Sequence, residues 1–295
     1  MLAAFTFNTA ENLPVGLLEL ISASLRVSLP AVGLLVTGYG VTVAVASLPL
    51  AHVMRAVPRR HVLTGLLAAL VVSSLVAASA TSYWLLLAAR LPTARPEEER
   101  AAYGTGPDAR RFGTVLAAGA LSATGAFAGY TYLVKFLGDV SGFSASTVSA
   151  LFVAFGVACL AGVSVTGALL DRFPRAALTT AVATQAVGML GLYAAGTDQV
   201  AAVASLVLMG GALGPVFMTT QHEMLRCAPG RTDIALAANS GAYNAGIAAG
   251  AALGGLVLPL AGVRGTFLVG VLLSVAASAV LLGGRLLRHG PELAE

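Results

Sequence analysis

Residues 145–175 read ASTVSALFVAFGVACLAGVSVTGALLDRFPR, an apolar run that ends in a short basic loop. A bilayer core about 30 Å thick requires roughly 20 apolar residues in one helix. Residues 145–170 meet that length and lack the alternation of a β-strand. The loop that follows, within residues 167–175, contains an Asp-Arg pair and a second arginine. The stretch therefore predicts a transmembrane helix with a tight basic connection to the next helix.

The composition extends this prediction to the whole chain. Of 295 residues, 57% are hydrophobic and only 10% are charged, and the mean hydropathy is +0.87. A water-soluble domain does not carry such values, and the missing alternation excludes a transmembrane barrel. We predict an all-α membrane protein, a polytopic bundle of about nine transmembrane helices. The predicted spans are residues 2–21, 29–54, 62–90, 113–136, 145–170, 176–197, 199–222, 234–260 and 265–286.

One segment breaks the series of spans. Residues 92–112 contain three prolines and three consecutive glutamates, which is typical of a solvated linker. The linker divides the chain into an N-terminal three-helix part, residues 1–91, and a C-terminal six-helix part, residues 113–289. The first span lacks a basic segment before it and contains polar residues, so we expect it to be retained and not removed as a signal peptide.

Basic residues predict the orientation of the spans. By the positive-inside rule, arginine-rich loops face the cytoplasm. The arginines predicted on that side of the C-terminal part are Arg110, Arg111, Arg172, Arg175, Arg226, Arg231, Arg285 and Arg288. Lys135 and Arg264 fall on or near the other side, and the net charge of +4 is explained by topology without nucleic-acid binding. Cys227 falls in a loop on the predicted cytoplasmic side.

The N-terminal arginines conflict with this orientation. Arg55, Arg59 and Arg60 also favour the cytoplasm, yet three predicted spans separate Arg60 from Arg172. Three alternatives follow. One segment does not span, or the first three helices are inverted, or the linker crosses the membrane depth.

Several strings resemble one transporter family. Residues 167–175 are similar to the G-x-L-x-D-R-x-G-R loop of the major facilitator superfamily, with Pro174 in place of the later glycine. Residues 9–18, 33–39 and 239–255 resemble the first, second and eleventh helices of its bacterial drug and sugar efflux permeases of the proton-antiporter type. That family has twelve helices in two halves, and this chain corresponds to the first three and the last six.

The resemblance implies a secondary transporter of the bacterial cytoplasmic membrane. The expected activity is proton-coupled efflux of a sugar or of a small amphipathic, antibiotic-like compound. Because alternating access needs two comparable halves, the alternative is a truncated, inactive remnant or a membrane interaction partner. A channel or an enzyme is disfavoured, since no filter-like string, metal triad or nucleophile with its base is present. No cofactor or metal is expected, and the expected partners are a small molecule, protons and the lipid bilayer.

The candidate residues for substrate binding or proton coupling are Glu11, Asn8, Asn12, Tyr39, Lys135, Tyr130, Asn239, Tyr243 and Asn244. An intramembrane carboxylate such as Glu11 is costly unless it serves a function, although it could also mark a helix end. Lys135 either compensates an acid or reaches the interface beside Tyr130 and Tyr132 as an aromatic belt. The face formed by Asn239 and Tyr243 serves either helix association or ligand binding.

Other residues carry structural expectations. The predicted conformational loop contains Gly167, Asp171, Arg172 and Arg175, with the glycine close to a neighbouring helix and the aspartate accepting hydrogen bonds. The glycines at four-residue spacing, Gly246, Gly250 and Gly254, predict close helix packing. His222 and Glu223 are expected at a hydrated helix end because no second histidine follows at i+4. Gln185 is a weaker candidate for lining a cavity.

Overall fold

The computed structural model describes residues 18–34, 37–38, 41–42, 45, 65, 68–69, 71–72, 108–170, 172–228 and 232–286. In this part of the chain all regular elements are helices, and five are long and apolar enough to cross a membrane. The prediction of an all-α membrane protein is therefore confirmed. The helices are α1 (Leu18–Leu25), α2 (Ala109–Tyr130), α3 (Leu133–Asp139), α4 (Ala145–Leu170), α5 (Pro174–Ala195), α6 (Gln199–Cys227) and α7 (Thr232–Leu286).

Two capping aspartates and a proline in the first turn mark where three of the helices begin. The Asp108 side chain accepts a hydrogen bond from the backbone N–H of Arg111 at 2.9 Å, so α2 starts inside the predicted linker 92–112. Asp198 caps α6 in the same way. Pro174 occupies the first turn of α5, where its missing N–H costs no helical hydrogen bond.

A break at Gly262 divides α7 into two arms, residues 232–261 and 263–286. Gly262 has φ 66° and ψ −179°, and the positive φ is a conformation that only glycine adopts at no steric cost. Pro259 lies almost one turn before the break. The arms correspond to the predicted spans 234–260 and 265–286, so two membrane-length helices meet with almost no loop between them.

The predicted span 113–136 is interrupted. It ends at Tyr130, turns at Thr131 and Tyr132, and resumes as the short helix α3. The backbone N–H of Tyr132 bonds to the carbonyl of Gly129 at 3.0 Å, which tightens the turn. The Tyr132 side chain is completely buried and donates to the carbonyl of Ala251 in α7 at 3.2 Å. A hydropathy pattern does not register such a break, because Tyr132 remains in an apolar environment.

Helix α2 occupies the centre of the C-terminal part and α4 its periphery. In the most apolar stretch of α2, 56% of the residues are buried, whereas in that of α4 only 17% are buried. α2 packs mainly against both arms of α7, whereas α5 and α4 pack mainly against α6. The large apolar residues that α4 leaves most exposed are Val153, Val157, Leu160 and Val165, a surface suited to lipid contact.

The long helices alternate in direction and give the bundle two distinct ends. We call the end where α2 begins and α6 finishes the arginine end. There the backbone N–H of Asp108 donates to the carbonyl of Cys227 at 3.1 Å. At the opposite end, Ser141 donates to the carbonyl of Gly196 at 2.6 Å. By this alternation the arginine end carries Arg110, Arg111, Arg172, Arg175, Arg226 and Arg285, whereas Arg231 and Arg288 lie outside the described residues.

Part of the N-terminal region contacts α7 and the turn after α2. Residues 29–34 are helical, and Val32 is completely buried. The Thr37 hydroxyl donates to the carbonyl of Ala248 at 3.2 Å, and Gly33 lies against the Tyr132 hydroxyl. The described part of the predicted second span therefore docks on the middle of the first arm of α7.

Candidate functional site

A buried ion pair joins α2 to α6 at the arginine end. The Arg111 guanidinium bonds to Glu223 Oε2, and the Glu223 side chain is only 2% exposed. The second carboxylate oxygen, Oε1, has no hydrogen-bond partner within the described ranges. Charge-assisted hydrogen bonds of this kind are among the strongest in proteins, and a buried carboxylate depends on them. The pair fixes the start of α2 against the end of α6.

The expectation of a hydrated helix end at His222 and Glu223 is wrong. Helix α6 continues to Cys227, and Met224 is completely buried beyond Glu223. Cys227 is itself buried at the last position of α6 and does not lie in a loop. One signal in the sequence was overlooked, because apolar Met224 and Leu225 continue the segment past the acid. A carboxylate flanked in this way needs a basic partner from another helix.

Two asparagines and a tyrosine lie on the first arm of α7, in the half of that arm nearer the arginine end. Asn239 is 2% exposed, and its Nδ2 has no hydrogen-bond partner among the described residues. Asn244 Nδ2 donates to the carbonyl of Ser240 at 2.9 Å, while its Oδ1 bonds to none of the described residues. Tyr243 is buried with its ring 4.8 Å from that of Phe217 on α6, in an edge-to-face contact. Buried amides inside a membrane-length helix thus retain unused donor and acceptor capacity.

The other candidates, Tyr130 and Lys135, lie towards the opposite end. Tyr130 is buried and stacks on Phe155 of α4, with ring centroids 5.3 Å apart. Lys135 Nζ bonds to Asp139 Oδ2 at 2.6 Å on the partly exposed surface of α3. The expected aromatic belt beside Lys135 is absent, because Tyr130 and Tyr132 are both buried. The structure therefore does not bring Tyr130 and Lys135 together with the asparagines.

Small residues allow the first arm of α7 to pack against the backbone of α2. Gly246, Gly250 and Gly254 lie against carbonyl groups of α2 that are themselves four residues apart, those of Ala120, Thr124 and Ala128. A Cβ atom at Gly250 would also lie 3.0 Å from the backbone nitrogen of Ala128. A side chain at any of the three positions would therefore force the two helices apart.

Gln185 cross-links three helices. It is completely buried on α5, and its Nε2 donates to the Ser122 carbonyl at 3.0 Å and to Ser274 Oγ at 2.9 Å. Its Oε1 accepts from the Ser122 hydroxyl at 3.3 Å. The Gln185 amide therefore bonds to α2 and α7, in a role of holding helices together.

The basic loop between α4 and α5 is only partly described. Arg172 is exposed, with its guanidinium carbon 5.4 Å from the centroid of the Phe173 ring. No described atom lies within 4 Å of a Cβ placed on Gly167, so the expected close helix approach is not seen there. Asp171 lies outside the described residues, as does the side chain of Arg175.

The N-terminal candidates Asn8, Glu11, Asn12 and Tyr39 also lie outside the described residues. Within the described ranges, no group of three or more histidine, cysteine, aspartate or glutamate side chains is placed to hold a metal ion. Among the described residues, the buried polar atoms without a hydrogen-bond partner in this half of the bundle include Glu223 Oε1, Arg226 Nε, Asn239 Nδ2 and Asn244 Oδ1.

Comparison with known proteins gives one family. Residues 112–294 match the family described as Major Facilitator Superfamily. A protein named probable sugar efflux transporter from Helicobacter pylori (strain P12) is 25% identical over 357 positions, covering 94% of this chain and 91% of that protein. An uncharacterized MFS-type transporter, YtbD, from Bacillus subtilis (strain 168) is 34% identical over 169 residues, covering 56% of this chain and 42% of that protein.

A further relative agrees with the first. The probable sugar efflux transporter of Helicobacter pylori (strain ATCC 700392 / 26695) is 25% identical over 338 positions, which cover 87% of this chain and 86% of that protein. Both alignments are longer than the 295 residues of this chain. Part of each relative therefore lies opposite gaps in this chain.

Proposed function

Since this chain belongs to the major facilitator superfamily, a family of membrane transporters, we propose that it exports a small molecule in exchange for protons. It is a multi-pass membrane protein and a transporter rather than an enzyme. The proposed cargo is a sugar, because two similar proteins are named probable sugar efflux transporters. A small amphipathic, antibiotic-like compound is the second cargo class, and the proposed location is the bacterial cytoplasmic membrane.

The observation that carries the proposal is the unsatisfied amide of Asn239. A buried donor without a partner costs about 1–3 kcal/mol, so it is retained when another molecule completes its hydrogen bonding. Asn239 lies one helical turn from Tyr243, and both side chains are buried in the bundle. A sugar offers oxygens that accept from an amide and apolar C–H faces that pack on an aromatic ring. We assign Asn239, Tyr243 and Asn244 to substrate binding.

Proton coupling is assigned to Glu11. Glu11 lies in a segment that the sequence predicts to span the membrane, where a carboxylate is costly, and this supports a functional role. Glu223 is the less suitable carboxylate, because Arg111 already holds it in an ion pair between α2 and α6. We therefore assign Glu223 to holding the two helices together and Glu11 to binding the proton, with Asn8, Asn12 and Tyr39 near the substrate.

A second function is favoured by the gaps in the alignments. The alignments with both sugar-efflux relatives contain more positions than this chain has residues. Such gaps are expected if this chain lacks the fourth to sixth helices of the family. Because rocking of two comparable halves drives alternating access, a chain without those helices would persist as an inactive remnant or a membrane partner.

Reconstitution in liposomes separates the two proposals. The purified 295-residue chain is incorporated in vesicles with a pH gradient. We then measure the transport of two classes of compound: radiolabelled monosaccharides and disaccharides, and a fluorescent lipophilic cation. Gradient-dependent movement of one class identifies the cargo and supports exchange for protons. If neither class moves while the protein is folded and inserted, the inactive remnant is favoured.

Two variants then test the assigned roles. We expect Asn239→Ala to reduce transport about tenfold, the loss of one hydrogen bond to cargo, and Glu11→Gln to abolish the dependence on the pH gradient. Gln199→Ala is the control, because that amide bonds to the Ser141 carbonyl at the opposite end. Unchanged transport by Asn239→Ala contradicts the substrate site, and unchanged gradient dependence in Glu11→Gln removes Glu11 from coupling.

A further inference from the structure

An open pocket of about 420 Å³ lies at the opposite end of the bundle, between the last turn of α5 and the break in α7. The residues that line it are Tyr193, Ala194, Ala261, Arg264, Gly265 and Leu268. Pockets that bind small molecules begin at about 300 Å³, so the space accommodates a phosphate group together with a glycerol unit. It lies apart from the asparagines near the arginine end.

Arg264 is anchored in this pocket by one hydrogen bond. Its Nη2 donates to the carbonyl of Tyr193 at 2.7 Å, a carbonyl in the last turn of α5 that lacks a helical donor. The Nε of Arg264 is buried and has no hydrogen-bond partner in the part of the chain that the structure describes. The guanidinium is therefore anchored at one nitrogen and retains unused donors.

The charge of Arg264 is not compensated by a carboxylate within the part of the chain that the structure describes. The ion pairs there join Arg111 to Glu223 and Lys135 to Asp139. Asp198, another carboxylate near this end whose side chain the structure describes, caps α6. Arg264 also lies at the end of the bundle opposite to the arginine end, and the positive-inside rule disfavours a cation there. A site for an anion explains both facts.

The walls of the pocket indicate which anion fits. Apart from Arg264 and Tyr193, the lining residues are small or apolar. Leu260, next to the lining residue Ala261, is 86% exposed and suited to contact with acyl chains. A free, fully hydrated phosphate gains nothing from such walls, whereas a phospholipid places its phosphate beside a cation and its glycerol and chains along apolar residues.

We propose that this pocket binds the phosphate of an anionic phospholipid, with the Arg264 guanidinium as its recognition group. The planar fork of an arginine presents parallel donors that match two phosphate oxygens. The lipid covers the lining residues of α5 and α7 and holds the end of α5 beside the Gly262 break. The site is independent of any transported compound.

Lipid retention on the purified full-length chain in detergent tests this site. The chain is mixed with phosphatidylglycerol or phosphatidylcholine at equal concentration, and bound lipids are counted by native mass spectrometry. We expect preferential retention of phosphatidylglycerol and a reduction of about tenfold in Arg264→Gln. Arg264→Lys is expected to lose less, because it keeps the charge. Lys135→Gln, which removes a cation already paired with Asp139 at the same end, should leave retention unchanged.

A second variant covers the case in which Arg264→Gln loses its fold. Ala194→Trp fills the pocket from an exposed position and leaves Arg264 in place, so retention should also fall in this variant. Measurements of helical content and of the unfolding temperature verify that both variants are folded. Unchanged retention in a folded Arg264→Gln or Ala194→Trp overturns the proposal. If millimolar inorganic phosphate displaces the lipid, the proposal of a phospholipid site is overturned, and the pocket is a site for free phosphate. Because no step requires transport, this test can fail while the proposed export stands.

Discussion

Glu223 is tolerated in the interior of the bundle because Arg111 reaches it from α2. Both side chains are largely withdrawn from solvent, at 15% and 2% exposure. Removal of one partner from such a pair leaves an uncompensated charge, which is more damaging than the loss of both. The stability of the arginine end thus depends on one residue in the first turn of α2 and one near the end of α6.

We predict that Arg111→Ala lowers the free energy of unfolding by about 3 kcal/mol, because it leaves Glu223 buried without its partner. The double variant Arg111→Ala, Glu223→Gln should recover most of this loss. Unfolding in mixed detergent measures both free energies. Arg172→Ala is the control, since that side chain is exposed on the α4–α5 loop. Equal stability of the single and double variants would contradict the role of the ion pair.

At the scale of the helices, the contact between α7 and α2 depends on the spacing of glycines. Gly250 lies against the Thr124 carbonyl of α2, where even a methyl group would meet backbone atoms. By contrast, Gly156 on α4 has open space where a Cβ would lie. The two glycines therefore offer the same substitution in two opposite environments.

Gly250→Ala is expected to destabilise the chain by about 1–3 kcal/mol, because the overpacked interface must open. Gly156→Ala is expected to be neutral or to stabilise by up to about 1 kcal/mol, since alanine has the higher helix propensity. The free energy of unfolding in mixed detergent distinguishes them. If Gly250→Ala is as stable as Gly156→Ala, the α2–α7 interface is looser than the structure shows.

Sequence patterns predicted the spans of the C-terminal part well, since a run of apolar residues of sufficient length has few alternatives in a membrane. The run 145–170 coincides with α4. Patterns failed where a tertiary partner decides. Glu223 looked like a hydrated residue because its partner Arg111 is 112 positions away. Gln185 resembled a cavity residue because Ser122 and Ser274, which bind its amide, are distant in sequence. The unsatisfied Asn239 amide could be located on a helix face but not shown to be buried.

At the scale of the whole molecule, the alternation of the long helices gives the bundle one end rich in arginine. The positive-inside rule assigns that end to the cytoplasm. Arg172 and Thr197 are exposed at the two ends, in the connections on either side of α5. They are therefore suitable reporters of the orientation of the C-terminal part.

We expect Arg172→Cys and Thr197→Cys to react with a membrane-impermeant thiol reagent from opposite sides. Reagent added from the cytoplasmic side should label Arg172→Cys, and it should label Arg110→Cys from that same side. The measurement uses intact cells and inverted vesicles in a background with Cys159→Ala and Cys227→Ala. Labelling of Arg172→Cys and Arg110→Cys from different sides would contradict the alternation.

The central position of α2 has a consequence for how the chain is made. α2 leaves the ribosome before α4, α5 and α6, yet its main packing partner is α7, which is synthesised after them. Until both arms of α7 have entered the membrane, α2 can pair with α6 through Arg111 and Glu223, but the face of α2 that packs against α7 has only lipid or the insertion machinery beside it. Assembly of this part must therefore wait for the last helix, and a nascent chain arrested before α7 would remain a substrate for membrane proteases.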